Sequence, residues 1–479
     1  MLKRAKNTLN SKNIFFLGIK GVAMANLAII YKKLGYCVFG SDLEEEFITD
    51  STLLKNNILV INSFLPNTLP KNIDLIVYSA AHGGTSNPQV IEAKKRKIKC
   101  LNQAELIENL SEIHNKSIAV CGCHGKTTTT ALLSYTLIKL GVNPTYLVGA
   151  PSFKAGTFQY PGADTSDNNY FAYEADEYAI DPPRDIRPKL NFYKPDYILA
   201  TNIGFDHPDV YRDLEHTKQV FLNFFQNRKA VFLCGDDKNL ASIRLKINSK
   251  HLTYGFNKEN NLVINNFQTN NLGSSFSINY LGKKLGIIKS ALYGEKNISN
   301  LAGVALVLIN LGFSFERIKK VVKTFSGVKR RLEHIYSKKD IHLFDDYAHH
   351  PQEIVATINA LKQRFQKHQI ITIFQPHTYS RTKSLLNEFT ASMLIADKSI
   401  IAPIFPSARE KLGNQNISSQ IIADIANKTK TNTVYAENND KQIIKRLEQL
   451  IDKKTVIVIL GAGDIYKLQD DIIRVIKRL

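Results

Sequence analysis

The sequence predicts an α/β protein built around mostly parallel sheets. Three separate segments each begin with an apolar strand, pass through a glycine-containing turn and enter a helical pattern. Strands that alternate with helices in this way form parallel sheets joined by crossover helices. With 479 residues the chain is long enough for roughly three domains, which matches the number of these segments.

The first segment, "NIFFLGIKGVAMANLAIIYKKLGYCVFGSD", predicts an N-terminal Rossmann-like domain over residues 1–113. Gly18 and Gly21 flank its turn, and Asp42 follows its second strand. This is the βαβ pattern of a nucleotide-binding domain. The same glycines would also serve a tight strand-to-helix turn that binds nothing. The pattern alone therefore leaves both interpretations open.

The second segment, "SIAVCGCHGKTTTT", predicts a central P-loop ATPase-type α/β domain over residues 114–330. A full phosphate-binding loop would have a glycine at the position of Val120, which this chain lacks. A shorter loop can still direct backbone N–H groups and a helix N-terminus at phosphate oxygens. Lys126 would supply a charge and Thr127 a hydroxyl for Mg²⁺. The alternative is a glycine turn with an incidental lysine.

Acidic and imidazole side chains follow two further strands of this domain. Glu174, Asp176 and Glu177 end one apolar run, and Asp206 and His207 end another. Ligands of open α/β sheets bind beyond the carboxyl ends of the strands, where the phosphate loop also lies. The cluster therefore predicts a site for Mg²⁺ that bridges ATP phosphates. In the alternative interpretation, these side chains cap helices or pair with arginines.

The third segment predicts a C-terminal Rossmann-like domain over residues 331–479. Its first helix is indicated by four apolar residues at helical spacing, Ile354, Ile358, Leu361 and Phe365. Polar side chains are expected at its strand ends: Arg330, Arg331, Asp345, Asp346, His349, His350, His377 and Arg381. Arginine forks bind carboxylates or phosphates, and Asp346 is a candidate general base. A site divided between the second and third domains would imply closure around substrates.

The net charge of +20 favours anionic substrates. The 63 Lys and Arg residues are spread along the chain without a long basic run, so we expect no nucleic-acid partner. The five cysteines are scattered, and Cys121 and Cys123 have no second Cys or His pair nearby to complete a zinc site. The longest apolar stretch is shorter than a membrane span. We therefore expect a cytoplasmic protein without a membrane partner.

Ten motifs, in order along nearly the whole chain, resemble the Mur ligase family, the ATP-dependent amide-forming enzymes of peptidoglycan synthesis. They are "GIKGVAMANLA", "GSD", "GCHGKTTT", "EADE", "TNIGFDHPD", "YGEKNISNLAGVAL", "GVKRRLE", "DDYAHHPQE", "FQPHTYSRT" and "GAGDIY". The number and order of the motifs identify the chain as a member of this family.

The resemblance implies a ligase that uses ATP and Mg²⁺ to join L-alanine to the carboxylate of UDP-N-acetylmuramate through an acyl phosphate. It also implies a role in cell-wall synthesis, cell shape and division, and a monomer or homodimer. A related ligase that attaches a whole tripeptide to the same sugar nucleotide is the alternative. It shares "GVKRRLE" and "DDYAHHP" but lacks the "QPH" stretch and its arginine. Outside the family, the rivals are a nucleic-acid-dependent P-loop ATPase and a non-catalytic nucleotide-binding scaffold.

The family's functional residues are assigned by the matching motifs. The catalytic group would be Lys126, Glu174, His207, Arg331 and Asp346. ATP would contact Gly122, Cys123, His124, Gly125, Lys126, Thr127, Thr128, Asn297, Asn300 and Arg331. The metal would be held by Thr127, Glu174 and His207, and the UDP-sugar by Gly18, Gly21, Asp42 and Ser79. The amino acid would face Tyr347, His349, His377 and Arg381, with Arg381 binding its carboxylate.

The sequence departs from the family pattern at four places. Cys123 stands where the family usually has Thr or Ser, and Lys296 replaces a histidine. Thr378 occupies a position where many alanine-adding members carry Arg. The stretch 181–196 is longer and more basic than the family pattern, which suggests a contact with the anionic groups of the substrate.

Overall fold

A computed structural model describes residues 12–166, 168–207, 210–270, 273–406, 416–429 and 433–479. The basic start of the sequence and two residues of the "TNIGFDHPD" motif, Pro208 and Asp209, lie outside the described residues. The chain divides into two compact units. The first holds the described residues up to 268 with 275–291 and 297–326, and the second holds 269–274, 292–296 and 327–479. The domain boundaries near 113 and 331 stay predictions.

The first sheet is parallel throughout and has the strand order β3-β2-β1-β4-β5. Its strands are β1 (Asn13–Leu17), β2 (Cys37–Ser41), β3 (Leu59–Ile61), β4 (Leu75–Tyr78) and β5 (Lys99–Asn102). Its helices are α1 (Val22–Lys33), α2 (Asp50–Lys55), α3 (Pro88–Lys95) and α4 (Gln103–Ile113). The apolar run of β1 is fully buried, as expected for a parallel strand covered on both faces. Asn102 and Glu105 form a capping box that starts α4.

The central sheet has the order β17-β16-β15-β14-β13-β12-β6-β9-β7, with β8 paired antiparallel to β7. Its first strands are β6 (Lys116–Cys121), β7 (Thr145–Ala155), β8 (Phe158–Asp164), β9 (Tyr170–Glu174), β12 (Tyr197–Ala200) and β13 (Ala230–Cys234). The others are β14 (His251–Gly255), β15 (Leu262–Asn270), β16 (Gly273–Tyr280) and β17 (Lys283–Ser290). A separate antiparallel hairpin is formed by β10 (Ala179–Asp181) and β11 (Asp185–Pro188).

Five helices accompany these strands. They are α5 (Lys126–Lys139), α6 (Leu214–Phe225), α7 (Lys238–Ile243), α8 (Glu295–Asn310) and α9 (Phe315–Val322). The strands β6, β9, β12 and β13 run parallel to one another, so their carboxyl ends share one edge of the sheet. The phosphate loop and both acidic runs follow strands of this group, which brings them to that edge.

The second unit contains a sheet of order β19-β20-β24-β21-β22-β23, antiparallel only between β19 and β20. The strands of this sheet are β19 (Glu333–Lys338), β20 (Ile341–Asp346), β21 (Gln369–Phe374), β22 (Lys398–Ile401), β23 (Val434–Ala436) and β24 (Thr455–Leu460). The short strand β18 (Gly327–Val328) belongs to the same unit but not to this sheet. The helices are α10 (Pro351–Arg364), α11 (Tyr379–Ser384), α12 (Leu386–Met393), α13 (Ser419–Thr429), α14 (Asp440–Leu450) and α15 (Gln469–Arg478). The predicted apolar face of α10 is buried against this sheet.

Five short 3₁₀ helices complete the described elements. They are Pro66–Thr68, Lys189–Asn191, Arg244–Lys246 and Ile465–Leu468, together with Ala81–Ser86, whose backbone is not helical at residues 82–84. The predicted α/β class with mostly parallel sheets is confirmed. Among the described residues, no helix combines the length and the apolar character needed to cross a bilayer.

Candidate active site

The phosphate loop connects β6 to α5 and requires glycine at two positions. Gly122 and Gly125 have φ values of +130° and +85°, which L side chains rarely adopt. A Cβ at Gly122 would overlap the Thr201 hydroxyl, and one at Gly125 would lie 2.7 Å from the Asn300 amide nitrogen. Val120, at the position of the missing glycine, is a buried residue of β6. The loop therefore starts at Gly122, after the strand has ended.

The Lys126 side chain folds back against this loop, and its ammonium group donates to acceptors of three residues. Its Nζ donates to the carbonyl oxygens of Gly122 at 2.6 Å and Cys123 at 3.3 Å. It also forms an ion pair of 2.7 Å with Glu177, whose side chain is only 3% exposed. Burial on its own lowers the pKa of Lys126, but the Glu177 carboxylate outweighs it and raises the pKa above its usual range. The ammonium group stays charged where phosphates would be expected.

Glu174 and Thr127, two of the predicted metal residues, lie together. The Thr127 hydroxyl donates to Glu174 Oε2 at 3.3 Å, and the Gly149 N–H donates to Oε1 at 2.6 Å. A Cβ at Gly149 would lie 2.6 Å from Oε2, so only glycine leaves room for this carboxylate. Glu174 is thus oriented by one backbone group and one hydroxyl.

The third predicted metal residue, His207, groups with two different carboxylates. Its Nε2 lies 3.4 Å from Glu177 and 3.8 Å from Asp206. Single ligand atoms of these three residues all lie within 4.8 Å of one another. Burial lowers the pKa of His207, but the hydrogen bond and charge of Glu177 raise it above its usual value. Glu177 and Asp206 belong to the acidic cluster that the sequence predicts to hold Mg²⁺, although the family motifs assign the metal only to Thr127, Glu174 and His207.

These groups suit a hard divalent cation. Carboxylate and hydroxyl oxygens are the ligands that Mg²⁺ prefers, and Glu177 and Asp206 place two carboxylates beside His207. The donor set therefore fits the predicted Mg²⁺ chemically.

Two loop residues are tied to the segment after β12. The thiol of Cys123 accepts the Gly204 N–H at 3.0 Å and donates to the Gly204 carbonyl at 3.2 Å. The His124 N–H donates to the Asn202 side-chain oxygen at 3.0 Å. Burial raises the pKa of the Cys123 thiol well above its usual range, so it stays protonated. The loop conformation thus depends on the segment that leads to His207.

Two of the predicted ATP residues lie on one face of α8. Asn297 and Asn300 are three residues apart, a spacing that places them on neighbouring positions of a helix surface. Asn300 is buried beside Gly125, and Thr128 is buried in the first turn of α5.

The predicted UDP-sugar residues converge around a histidine that sequence reasoning missed. Gly18 has φ +74°, and a Cβ there would lie 3.1 Å from the ring of His82 and 3.6 Å from Ser79 Oγ. The buried Asp42 carboxylate lies 3.4 Å from His82 Nε2 and accepts the Lys20 N–H at 2.6 Å. Gly21 is the N-cap of α1. The only sequence signal for His82 was its position shortly after the end of β4.

In the second unit, the Asp346 carboxylate accepts hydrogen bonds from three neighbouring segments of the chain. Its carboxylate accepts the N–H of Leu332 at 3.2 Å, the N–H of Ala348 at 3.0 Å and the Thr357 hydroxyl at 2.8 Å. Burial raises the pKa of Asp346, although the Arg331 charge partly offsets this. Such a carboxylate with three donors is well suited to positioning the backbone on either side of β20.

The neighbouring aromatic and cationic groups form a chain of ring contacts. The Arg331 guanidinium lies 4.9 Å from the centre of the Tyr347 ring. The ring of His349 lies 5.4 Å from that of Tyr347 and 6.2 Å from that of His377. Arg381 belongs to α11, which begins two residues after His377. The unit therefore brings Arg331, Tyr347, His349 and His377 together, with Arg381 on the following helix.

Asp345, next to Asp346, has different partners. It pairs with Arg330 at 3.2 Å and accepts from Gln469 at 2.8 Å. Burial raises its pKa to about 6, partly offset by Arg330. The adjacent aspartates thus point to opposite faces of the sheet, as successive residues of a strand do.

The phosphate loop, its charged lysine and the carboxylates beside it define a nucleotide-dependent α/β enzyme. Three family models match the chain: Mur ligase family, catalytic domain (residues 13–114), Mur ligase middle domain (120–308) and Mur ligase, glutamate ligase domain (330–463). A UDP-N-acetylmuramate--L-alanine ligase of Lactobacillus gasseri is 36% identical over 465 residues, covering 96% of this chain and 98% of the relative. The chain belongs to the Mur ligase family, and it is an ATP-dependent ligase.

Two solved structures share the fold. A UDP-N-acetylmuramate-alanine ligase from Thermotoga maritima has a TM-score of 0.79 and 23% identity, covering 97% of this chain and 99% of its own. A murein peptide ligase from Psychrobacter arcticus has a TM-score of 0.71 and 22% identity, covering 98% and 99%. At these identities the likeness concerns the architecture, and the resemblance inferred from the motifs is confirmed by the curated relative.

Proposed function

We propose that this protein joins L-alanine to the carboxylate of UDP-N-acetylmuramate at the expense of ATP. The observation that carries the proposal is the similarity to the Lactobacillus gasseri ligase over nearly the full length of both chains. The matching chemistry is supplied by the charged Lys126 paired with Glu177, by Glu174 beside Thr127, and by His207 beside Glu177. We further expect a cytoplasmic enzyme that acts as a monomer or homodimer, without nucleic acid.

The proposed reaction has two steps. A muramoyl carboxylate oxygen attacks the γ-phosphorus of ATP, so that ADP leaves and an acyl phosphate forms. The amine of L-alanine then attacks the acyl carbon, phosphate leaves, and the amine loses a proton to give the amide. Neither step needs a nucleophilic side chain, so the protein contributes positioning and charge neutralisation.

Lys126 would neutralise the phosphates after exchanging Glu177 and the loop carbonyls for phosphate oxygens. The N–H groups of the loop and the first turn of α5 would bind the same anion. Thr127, Glu174 and His207, together with Glu177 and Asp206, are the groups that would hold Mg²⁺. When bound, Mg²⁺ would screen the charge of the phosphates.

The same proposal assigns roles to six residues of the second unit. Arg331 and Asp346 would complete the ATP and acyl-phosphate site, and Arg381 would bind the amino-acid carboxylate through its fork. Tyr347, His349 and His377 would face the amino acid. The three donors on Asp346 support a positioning role for its carboxylate as much as a role as general base.

One assay tests the proposal. The purified protein is incubated with ATP, Mg²⁺, UDP-N-acetylmuramate and either L-alanine or the tripeptide, and phosphate release and product mass are measured. We expect release with L-alanine that depends on the sugar nucleotide. Turnover with the tripeptide alone would instead identify a recycling ligase. ATP hydrolysis that DNA or RNA stimulates without the sugar nucleotide would contradict the proposal altogether.

A further inference from the structure

The hairpin of residues 179–188, made of β10 and β11, directly follows the acidic run that ends at Glu177. Its base is closed by an ion pair of 2.7 Å between Lys189 and Asp176. Lys189 also donates to the Gln103 side-chain oxygen at 3.0 Å. The base of the hairpin is therefore anchored beside the candidate metal site, and its tip contacts another part of the first unit.

The tip is joined to a turn of the N-terminal sheet by two charged side chains. The Asp181 side chain, 3% exposed, accepts the Thr85 N–H at 3.3 Å and also accepts the Thr85 hydroxyl. Arg184 forms an ion pair of 2.6 Å with Asp181 and donates to Thr85 Oγ1 at 3.1 Å. Arg184 also donates to the Gly83 carbonyl. Only the Asp181 carboxylate of this pair is buried, and removing the Arg184 charge beside it would leave that buried carboxylate without its ionic partner.

The turn that receives these contacts, residues 82–86, has an unusual backbone. His82 and Gly83 have φ values of +54° and +85°, and Gly84 has φ +51° and ψ −123°. The last combination is close to a glycine-only region. A Cβ at Gly84 would overlap the Asp181 carboxylate. Three consecutive residues with positive φ persist only where surrounding contacts stabilise them, and the hairpin supplies those contacts.

The turn determines where the His82 ring lies. The ring packs on Phe64 with centroids 4.8 Å apart, and its Nε2 approaches Asp42. Its Cδ2 faces the space beside Gly18. These neighbours include two of the predicted UDP-sugar residues, so a shift of the turn would displace an imidazole within the candidate sugar-nucleotide site.

We propose that Asp181 and Arg184 are positioning residues for the sugar nucleotide, and that His82, carried by the turn they hold, contacts this substrate. The proposal rests on the proposed function, because it takes the sugar nucleotide as the occupant of the site around Gly18 and Asp42. It also accounts for the basic stretch 181–196: Arg184 and Arg187 pair with aspartates of the hairpin, and Lys189 closes its base.

The test compares Asp181→Asn, Arg184→Ala and His82→Ala with the wild-type enzyme. We expect each variant to raise KM for UDP-N-acetylmuramate by about tenfold or more, with KM for ATP and kcat changed less than about threefold. Arg187→Ala is the matched control, because Arg187 pairs with Asp185 in the same hairpin but is 63% exposed. It should leave every constant unchanged.

A double-mutant cycle separates positioning from general destabilisation. Thr85→Val removes the hydroxyl that Asp181 and Arg184 share, so its effect on KM for the sugar nucleotide should not add to that of Asp181→Asn. It also serves as the second variant if Asp181→Asn fails to fold. An unchanged KM for the sugar nucleotide in folded variants would overturn the inference, as would parallel changes in KM for ATP.

The affinity for UDP, measured by isothermal titration calorimetry, is a readout that does not depend on turnover. We expect the wild-type protein to bind UDP and the Asp181→Asn protein to bind it about tenfold more weakly. If the wild-type protein binds UDP but does not ligate L-alanine, the proposed function fails. The UDP affinities of the wild-type and Asp181→Asn proteins then still test the inference about the hairpin. If UDP affinity is equal in both proteins, the inference about the hairpin fails by itself.

Discussion

The Lys126 ammonium group and the Glu177 carboxylate form an ion pair of 2.7 Å inside the phosphate loop. Both side chains are largely buried, and the same carboxylate also lies 3.4 Å from His207. Glu177 thus links the lysine of the loop to the imidazole after β12. A nucleotide that binds the loop has to draw the lysine away from this carboxylate, which would leave Glu177 available to a cation.

Replacing Lys126 with alanine should abolish turnover while preserving the fold. We expect kcat to fall by about a thousandfold or more, because the helix N-terminus that remains at the loop supplies only a partial positive charge in place of the ammonium group. Steady-state kinetics and circular dichroism measure the two quantities. Lys139→Ala, in the last turn of the same helix, is the control and should retain activity. A Lys126→Ala enzyme with normal turnover would mean that the loop does not serve the reaction.

Gly149→Ala should impair the use of Mg²⁺ through Glu174. The added methyl group would lie 2.6 Å from Glu174 Oε2 and force the carboxylate away from the Thr127 hydroxyl. We expect the Mg²⁺ concentration for half-maximal activity to rise by about tenfold, as for other changes around metal ligands. A titration of activity with Mg²⁺ measures this. Glu174→Gln should shift the titration in the same direction, and an unshifted Gly149→Ala curve would argue against Glu174 as a ligand.

Alkylation should distinguish the five cysteines in the folded protein. Cys37 is exposed and Cys100 half-buried, whereas Cys121, Cys123 and Cys234 are buried. Burial also raises the pKa of each of the three buried thiols, which lowers their reactive thiolate fraction. Mass spectrometry after iodoacetamide treatment should show modification of Cys37 first and none of the buried thiols until the protein unfolds. Rapid labelling of Cys123 in the native protein would contradict the loop geometry.

Glu108→Gln should change how stability depends on pH. Burial raises the pKa of Glu108 from 4.5 to about 7, partly offset by the N–H of Lys194. The stabilising contribution of the bound proton is present below about pH 4.5 and is lost as the pH rises through about 7. At pH 8 the variant should therefore be more stable than the wild type by about 1–2 kcal/mol, allowing for solvent screening.

The measurement is urea unfolding at pH 5 and pH 8. The advantage of the Glu108→Gln protein should be larger at pH 8, because there the native wild type carries the buried charge. Glu316→Gln, on an exposed glutamate of α9, should leave the difference between the two pH values unchanged. An equal advantage at both pH values would show that Glu108 does not titrate in this window.

The local parts of the fold could be predicted from the sequence, because each depends on residues close in the chain. The spacing of Ile354, Ile358 and Leu361 located α10 and its buried face. The glycines around Lys126 identified a turn between strand and helix, and the loop indeed begins at Gly122 rather than at Val120.

The pairings within the site could not be predicted, because they join residues distant in sequence. Nothing near Lys126 indicates that its partner is Glu177 rather than Glu174, and 51 residues separate the pair. Cys123 and Gly204 are 81 residues apart, so the thiol's role in the loop emerged only from the structure. The basic stretch 181–196 was predicted to contact the anionic groups of the substrate. The charge of Arg184, within this stretch, is paired with Asp181, and its guanidinium also donates to Thr85. The predicted substrate contact itself stays a prediction.

The strand β24 lies between β20 and β21 and is buried along its whole length, although it is the last of the sheet's strands in chain order. During synthesis, β20 and β21 therefore emerge from the ribosome well before the strand that joins them. Until residues 455–460 emerge, both expose an unpaired edge, a state prone to aggregation. The C-terminal sheet can thus close only after residue 460 has emerged, whereas the N-terminal sheet has all its strands by residue 102 and can fold much earlier.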